Sequence, residues 1–558
     1  MMRRPLIVLM VVLSAGSAAP RAQQAQRAPQ NDSILQNDLR ADLFFLAGDG
    51  FRGRLTGSPE NALAAEFVKS RFERMGLDPI GPDKTFFHPF NLMTATLGER
   101  NALTIRGASA ATLELEPFRD YFPQRFSATG LARGKVAFAG FGIVDAKLGH
   151  DDYPKVDGTN PYAGRVVVVL DHEPGENDPT SPFDGVVTSQ DSTNLYKALY
   201  AQEKGAAGIL FVSDVHNHPG AANFEAVARA FWPPKPPRIE SYTLEAWMQK
   251  VRIPAAQISP ALATMLLGGA SLDDLGRLAE ARGGLKSPVL SEVDVEIRAD
   301  VARHVFSDRS VVGAIRGSDP ALRDEWVIVS AHFDHEGAED TRIWNGADDN
   351  GSGTVALIEI AEAYALAAKA GARPKRSVLF ADWDSEERGL LGAWAFTEHP
   401  LFPLDKVVAV LNMDMIGRNE EVQPGGGARF RGLEIQTAES NANAANVIGS
   451  SYSKDLANTI TVSNEIYNLT LRLRYDNNPS NLLRRSDNWP FLQRGVPSIF
   501  FHTGLHPDYH TIYDRPEKIN YEKMEKIARL IHQTSWVLAT QTARPRFDGR
   551  KNPPPSAQ

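Results

Sequence analysis

The chain contains no cysteine. That absence removes disulfides, a thiol nucleophile, thiolate metal ligands and an acylated cysteine anchor. Any metal site must be built from His, Asp and Glu, and an exported chain of this kind holds together by core burial, bound metal or both. A long basic run is also missing. Lys+Arg number 60 against Asp+Glu 68, a net charge of −8, so nucleic acid is not expected as a partner. Internal repeats are lacking. The apolar run Leu6 to Leu13 falls short of the roughly 20 residues that a bilayer span requires. It follows Arg3 and Arg4 and precedes the small residues Ala15 to Ala19, the pattern of a cleaved secretory signal over residues 1–22. The expectation is a secreted or periplasmic protein with no stable membrane insertion after cleavage.

What is present is ordinary globular composition, 42% hydrophobic and 23% charged over 558 residues, which implies two or more domains. Residues 35–77 read as helices, with Leu63, Phe67, Phe72 and Met75 near helical spacing and Gly76 as a stop. Together with short alternating strands after Lys84 they form the first part of a domain, residues 35–129. From 130 to 284 the texture changes. The strand GRVVVVLDHEP, the helix KALYAQEKGAAG and the strand ILFVSD imply a small α/β unit. Within it, WPPKPP reads as a rigid surface turn in preference to a lid edge, and His216 and His218 in HNHPG read as solvated loop residues. Residues 285–545 resume the larger domain, and 546–558 read as a disordered tail, its end RKNPPPSAQ polar and Pro-rich.

Four apolar runs dominate the larger domain: WVIVSA, SVLFADW, VVAVLNM and VPSIFF. Each is short and nearly continuous, as expected of strands buried on both faces of a mainly parallel sheet. The helix TVALIEIAEAYALAAKA follows the first, with Ser352 as its expected cap. The fold class is therefore α/β, a mixed, mainly parallel sheet flanked by helices, with a small α/β insertion.

The runs end in chemistry. WVIVSA leads to His332 and Asp334, SVLFADW to Glu386 and Glu387, VVAVLNM to Asp414, and VPSIFF to a loop ending at His510; Asp349 stands just before a helix. Ligands of open α/β sheets bind beyond the carboxyl ends of the strands. Two imidazoles and three carboxylates suit zinc or a similar borderline ion. Five such groups would overfill one ion, whereas two ions sharing a bridging carboxylate use them economically and activate a water between them. Of the adjacent Glu386 and Glu387, one can bind metal while the other moves the proton. Asp334 is placed to hold the second imidazole nitrogen of His332.

The strings SAHFDHEG, GADDNGSG, DWDSEERGLLG, LNMDMIG, SDNWPFLQRGVP and TGLHPDYHT, in this order, resemble the secreted bacterial zinc aminopeptidases of the co-catalytic two-zinc family. That family shares its fold with glutamate carboxypeptidase and the transferrin receptor. The similarity covers roughly residues 312–530, and the helices near Gly53–Gly76 look like the same family's N-terminal part. The resemblance implies that His332 and Asp414 hold one zinc, that His510 and Glu387 hold the other, and that Asp349 bridges them. It implies Glu386 as general base, Tyr509 as partner of the tetrahedral oxyanion, and a cis Asp349–Asn350 peptide. Asn488 departs from the family, which often has His there, so hydrogen bonding on the substrate side is expected to differ. His335, His502 and His506 are expected to be structural or to support ligands. The 130–284 unit resembles a protease-associated domain.

The resulting expectation is a two-zinc aminopeptidase acting on peptides with a free N-terminus. Fewer than about 50 residues follow His510, which weighs against a carboxypeptidase or dipeptidase of the glutamate-carboxypeptidase kind with its added helical domain. A receptor-like binding protein would have degraded ligands. A glutaminyl cyclase is disfavoured by the insertion.

Overall fold

The computed structural model describes residues 27–549, apart from 107–111, 179, 184–188 and 221–222. The expected signal at 1–22 and the segment RKNPPPSAQ lie outside the described residues. Among the described residues no helix is long and apolar enough to cross a membrane.

The four apolar runs form the centre of a nine-stranded sheet. Strands Ser377–Trp383, Trp326–His332, Val407–Met413 and Ser498–His502 lie side by side and parallel, and every residue in them is buried. Continuous apolarity follows from cover on both faces. Val327, Val329 and Ala331 point to one layer with the helices Gln36–Leu46, Pro59–Met75, Gly353–Lys369 and Tyr521–Thr540. Trp326 and Ile328 point to the other, where Phe396 and Phe491 pack. Val301–Ile315 and Phe87–Leu97 extend the sheet antiparallel on one side, and Ala444–Ile448 lies antiparallel to Ser498–His502 on the other.

The N-terminal helices form as read. Ser58 caps Pro59–Met75 by accepting from the Asn61 amide, and Gly76 ends it at φ 79, a left-handed conformation suited to glycine. Ser352 does not cap the next long helix. Its backbone is already helical and its hydroxyl donates to Asp348 O instead. The capping role passes to Asn350, whose Oδ1 accepts from Gly353 N at 2.9 Å. A side chain at Gly353 would collide with that same oxygen.

A second sheet of eight strands carries the small α/β unit. Its parallel strands Val166–Leu170, Gly208–Val212 and Ala255–Ile258 are fully buried. The sheet also takes in Ala102–Arg106 and Val289–Ala299, so it reaches beyond the 130–284 span at both ends. In the other direction, Thr243–Leu244 leaves that span to pair with Phe87–Leu97 in the first sheet. The tail span from 546 begins docked: Arg546 Nε donates to Asp455 at 2.9 Å and Phe547 packs on Tyr452.

Candidate metal centre

All eight residues singled out from the sequence sit at or beyond the carboxyl ends of the four parallel strands. His332 ends its strand, and its Nε2 faces Asp349 Oδ1 at 3.5 Å, Asp414 Oδ1 at 3.6 Å and Glu386 Oε2 at 3.7 Å. Asp349 turns its other oxygen to His510 Nε2 at 2.9 Å, and His510 lies 3.4 Å from Glu387 Oε2. His335 is nearer the centre than expected. Its Nδ1 is 2.6 Å from Glu387 Oε1 and 3.9 Å from Asp349 Oδ2. Two donor groups result, His332–Glu386–Asp414 and His335–Asp349–Glu387, each with its ligand atoms within 4.8 Å of one another. Next to the second, His510 is held by Glu336 through Nδ1 at 3.1 Å.

The local chain explains how these groups are held. The Asp349–Asn350 peptide is cis. The amides of Asp348 and Asp349 both donate to the buried Asp514 carboxylate at 3.0–3.1 Å. Asp348 in turn accepts from Gly417 and Arg418 amides and pairs with His506 at 3.2 Å, while His502 Nδ1 meets the Asp414 carbonyl at 3.0 Å. Both histidines thus brace the loops, as expected of them. Gly346 adopts φ 54, and a Cβ there would lie 2.5 Å from the His335 ring, so only glycine lets this loop close on the site. Asp334 is 3.4 Å from His332 Nδ1 and accepts from the backbone amides of Glu386 and Glu387. One carboxylate therefore orients the imidazole and both glutamates.

Arg54 and Asp487 were not singled out from the sequence. Arg54 is fully buried and donates to the carbonyls of Phe333, Leu46, Asn345 and Gly346 at 2.6–3.1 Å. Burial pulls its pKa down to about 10, against Asp334 and Asp349, which raise it. Asp487 is buried with neither oxygen hydrogen-bonded; burial raises it well above the carboxylate range, opposed by His332. Asn488 is buried beside it and donates to Leu483 O at 3.2 Å.

Electrostatics separate the paired glutamates. Burial, opposed by His332 and reinforced by Asp414 and Glu387, lifts Glu386 well above the usual carboxylate range. Burial also acts upward on Glu387, but His510 and His335 outweigh it and hold Glu387 well below that range. The Tyr509 ring lies against His510, centroids 3.9 Å apart and planes tilted by 37°, and burial with Asp349 and Glu387 keeps its phenol protonated far above the ordinary value.

The donor set fits a borderline divalent cation. His332 Nε2 and Asp414 Oδ1, which face each other at 3.6 Å, are buried without a hydrogen bond, a costly state unless another partner satisfies them. Imidazole and carboxylate without thiolate is a zinc-type set.

Residues 310–535, the segment that holds every residue of both donor groups, match the model of Peptidase family M28. Among curated proteins, the chain is 31% identical over 208 residues to a probable glutamate carboxypeptidase of Arabidopsis thaliana, 37% of this chain and 26% of that one. It is 37% identical over 132 residues to the mouse aminopeptidase NAALADL1, 23% of this chain and 16% of that one. These matches span about a quarter or less of the relatives' length. Among solved structures it is similar to an aminopeptidase from Aneurinibacillus sp. strain AM-1, TM-score 0.47 at 14% identity, covering 93% of this chain and 98% of that one. A zinc aminopeptidase from Bacillus subtilis follows with TM-score 0.42 at 16% identity, covering 93% and 99%.

Proposed function

We propose that the chain is an exported metallopeptidase that uses two zinc ions to release residues from the N-terminus of peptides. The observation that carries this reading is the position of Asp349, one oxygen toward His332 and the other toward His510. A single carboxylate so placed joins two donor groups. His332 and Asp414 would hold one zinc, His510 and Glu387 the other, with Asp349 between and His335 against Glu387. Two such ions supply Lewis acidity and lower the pKa of a water nucleophile.

The chain's own residues do the rest. Glu386, buried with its Oε2 3.7 Å from His332 Nε2, accepts the proton of the attacking water and delivers it to the leaving amine. Asp334 fixes the amide of Glu386 and so the reach of its carboxylate. Tyr509 keeps its phenolic proton and donates to the oxyanion. The inserted unit reaches this wall of the site through Arg238, which follows WPPKPP. Arg238 donates to Glu336 O, and its guanidinium lies 3.8 Å above the Trp344 ring. Glu336 is the carboxylate that holds His510. That contact supports a role for the unit in restricting substrates.

The N-terminal preference draws support from the relative named as an aminopeptidase; the relative named as a probable glutamate carboxypeptidase favours release of C-terminal residues as the second reading. Purified protein is expected to hold about two zinc ions at this centre and to cleave an aminoacyl anilide but not its N-acetylated counterpart. Equal or better cleavage of the blocked substrate, or of peptides with only the C-terminus free, overturns the assignment.

A further inference from the structure

A third donor cluster lies far along the chain from the first two. His172, Glu176 and His218 bring ligand atoms within 4.8 Å of one another. They stand where the two adjacent parallel strands Val166–Leu170 and Gly208–Val212 of the second sheet run out. His172 Nδ1 is 3.1 Å from Glu176 Oε2, and His218 Nε2 is in contact with Glu176 Oε1. The latter two atoms are shut off from solvent yet make no hydrogen bond of normal geometry. The two imidazole rings lie 4.3 Å apart, centroid to centroid. The two imidazoles stay partly open to solvent, 44% and 42% exposed, yet both converge on one buried carboxylate.

The supports around the cluster are as built as those of the catalytic site. Glu280 accepts from Gly175 N at 2.9 Å with one oxygen and from Asn217 Nδ2 at 2.7 Å with the other. One carboxylate thereby ties the loop that carries Glu176 to the loop that carries His218. Asp214 accepts from the amides of His216 and Asn217. The buried Lys197 donates to the carbonyls of Leu170 and His172, fixing the first turn after the strand.

We propose that His172, Glu176 and His218 form a divalent-cation site of the zinc class on the inserted unit, separate from the catalytic centre. Two imidazoles and one carboxylate are a zinc-type set with an open fourth position. The ion cross-links two loops whose ligands are 42 residues apart in sequence, from Glu176 to His218. In a chain without cysteine it does for this unit what a disulfide does elsewhere. Glu280 is a positioning residue for it.

The test is zinc binding by the full untagged protein, with the catalytic zinc already loaded, followed by metal analysis and by zinc-dependent melting. Wild type is expected to take up one more zinc per chain than His218→Ala, His172→Ala or the near-isosteric Glu176→Gln. Its melting temperature rises with added zinc where theirs does not. Glu280→Ala keeps the stoichiometry but weakens binding by roughly 10-fold or more. Turnover in these variants stays at the wild-type level, which separates this site from the proposed catalytic one. Circular dichroism without the added zinc checks that each variant is folded. Equal zinc content and equal zinc-dependent melting in wild type and the folded variants means adventitious surface binding and overturns the proposal.

Discussion

Asp334 Oδ1 accepts the backbone N–H of Glu386 at 3.0 Å. The side chain that orients the His332 imidazole therefore also sets the backbone from which the proposed base projects. Asp334→Ala removes both constraints. The expected result is a fall in kcat of about 10- to 100-fold, with KM little changed, and steady-state kinetics on an aminoacyl anilide measure it.

Glu386 and Glu387 should respond differently to the same conservative change. Glu386→Gln is expected to abolish turnover while zinc content stays at the wild-type value. Glu387→Gln, which removes a charge held low by His510 and His335, is expected to lose metal as well as activity. Metal analysis on both variants decides the matter. Loss of metal in the first alone would mean that the two roles are exchanged.

Arg54 stitches four carbonyls from three segments, and hydrogen bonds to charged groups are worth about 1.5–3 kcal/mol each. Arg54→Ala strands those carbonyls in the interior. A loss of at least roughly 3 kcal/mol in unfolding free energy is expected, read by urea denaturation. Arg54→Lys recovers only part, because one ammonium cannot reach four carbonyls in a plane.

Glu359 makes stability depend on pH. It lies buried in the helix Gly353–Lys369, where burial, with Asp38, Glu362 and Asp42, pushes its pKa up to about 8 from 4.5. Between those values the folded chain binds the proton more tightly than the unfolded one. This contribution to stability is therefore full below pH 4.5 and is lost as pH rises through 8. Glu359→Gln should match wild type near pH 4.5 and exceed it by on the order of 2 kcal/mol above pH 8, less than the full shift implies because the site relaxes and admits water. Melting curves across that range test the sign.

The parts of the fold that could be read from sequence share a physical reason. A strand covered on both faces must be apolar throughout, so WVIVSA, SVLFADW, VVAVLNM and VPSIFF announced themselves, and the polar residues just past them gather in the candidate metal centre. Arg54 carries no such signal. In sequence it is one arginine in FRGRLTG, and only its convergence with Phe333, Asn345 and Gly346 in space makes it part of the centre. Asp487 is silent for the same reason. His218 read as solvated because its partners lie on another strand's exit. Ser352 was misplaced as a cap because the irregular turn at Asp349–Asn350 lets Asn350 reach Gly353 first. The span of the second sheet was understated because the antiparallel partners Ala102–Arg106 and Val289–Ala299 are far apart in sequence.

Strand Val289–Ala299 in the second sheet and strand Val301–Ile315 in the first are separated by Asp300 alone. There is no linker at this crossing for one core to melt while the other stands. A tear in either sheet frays the rod that both depend on. The two cores should accordingly lose structure in one cooperative transition, with calorimetric and van't Hoff enthalpies in agreement. An excised 130–284 fragment, deprived of the four strands of this sheet that lie outside that span, should fail to hold its sheet.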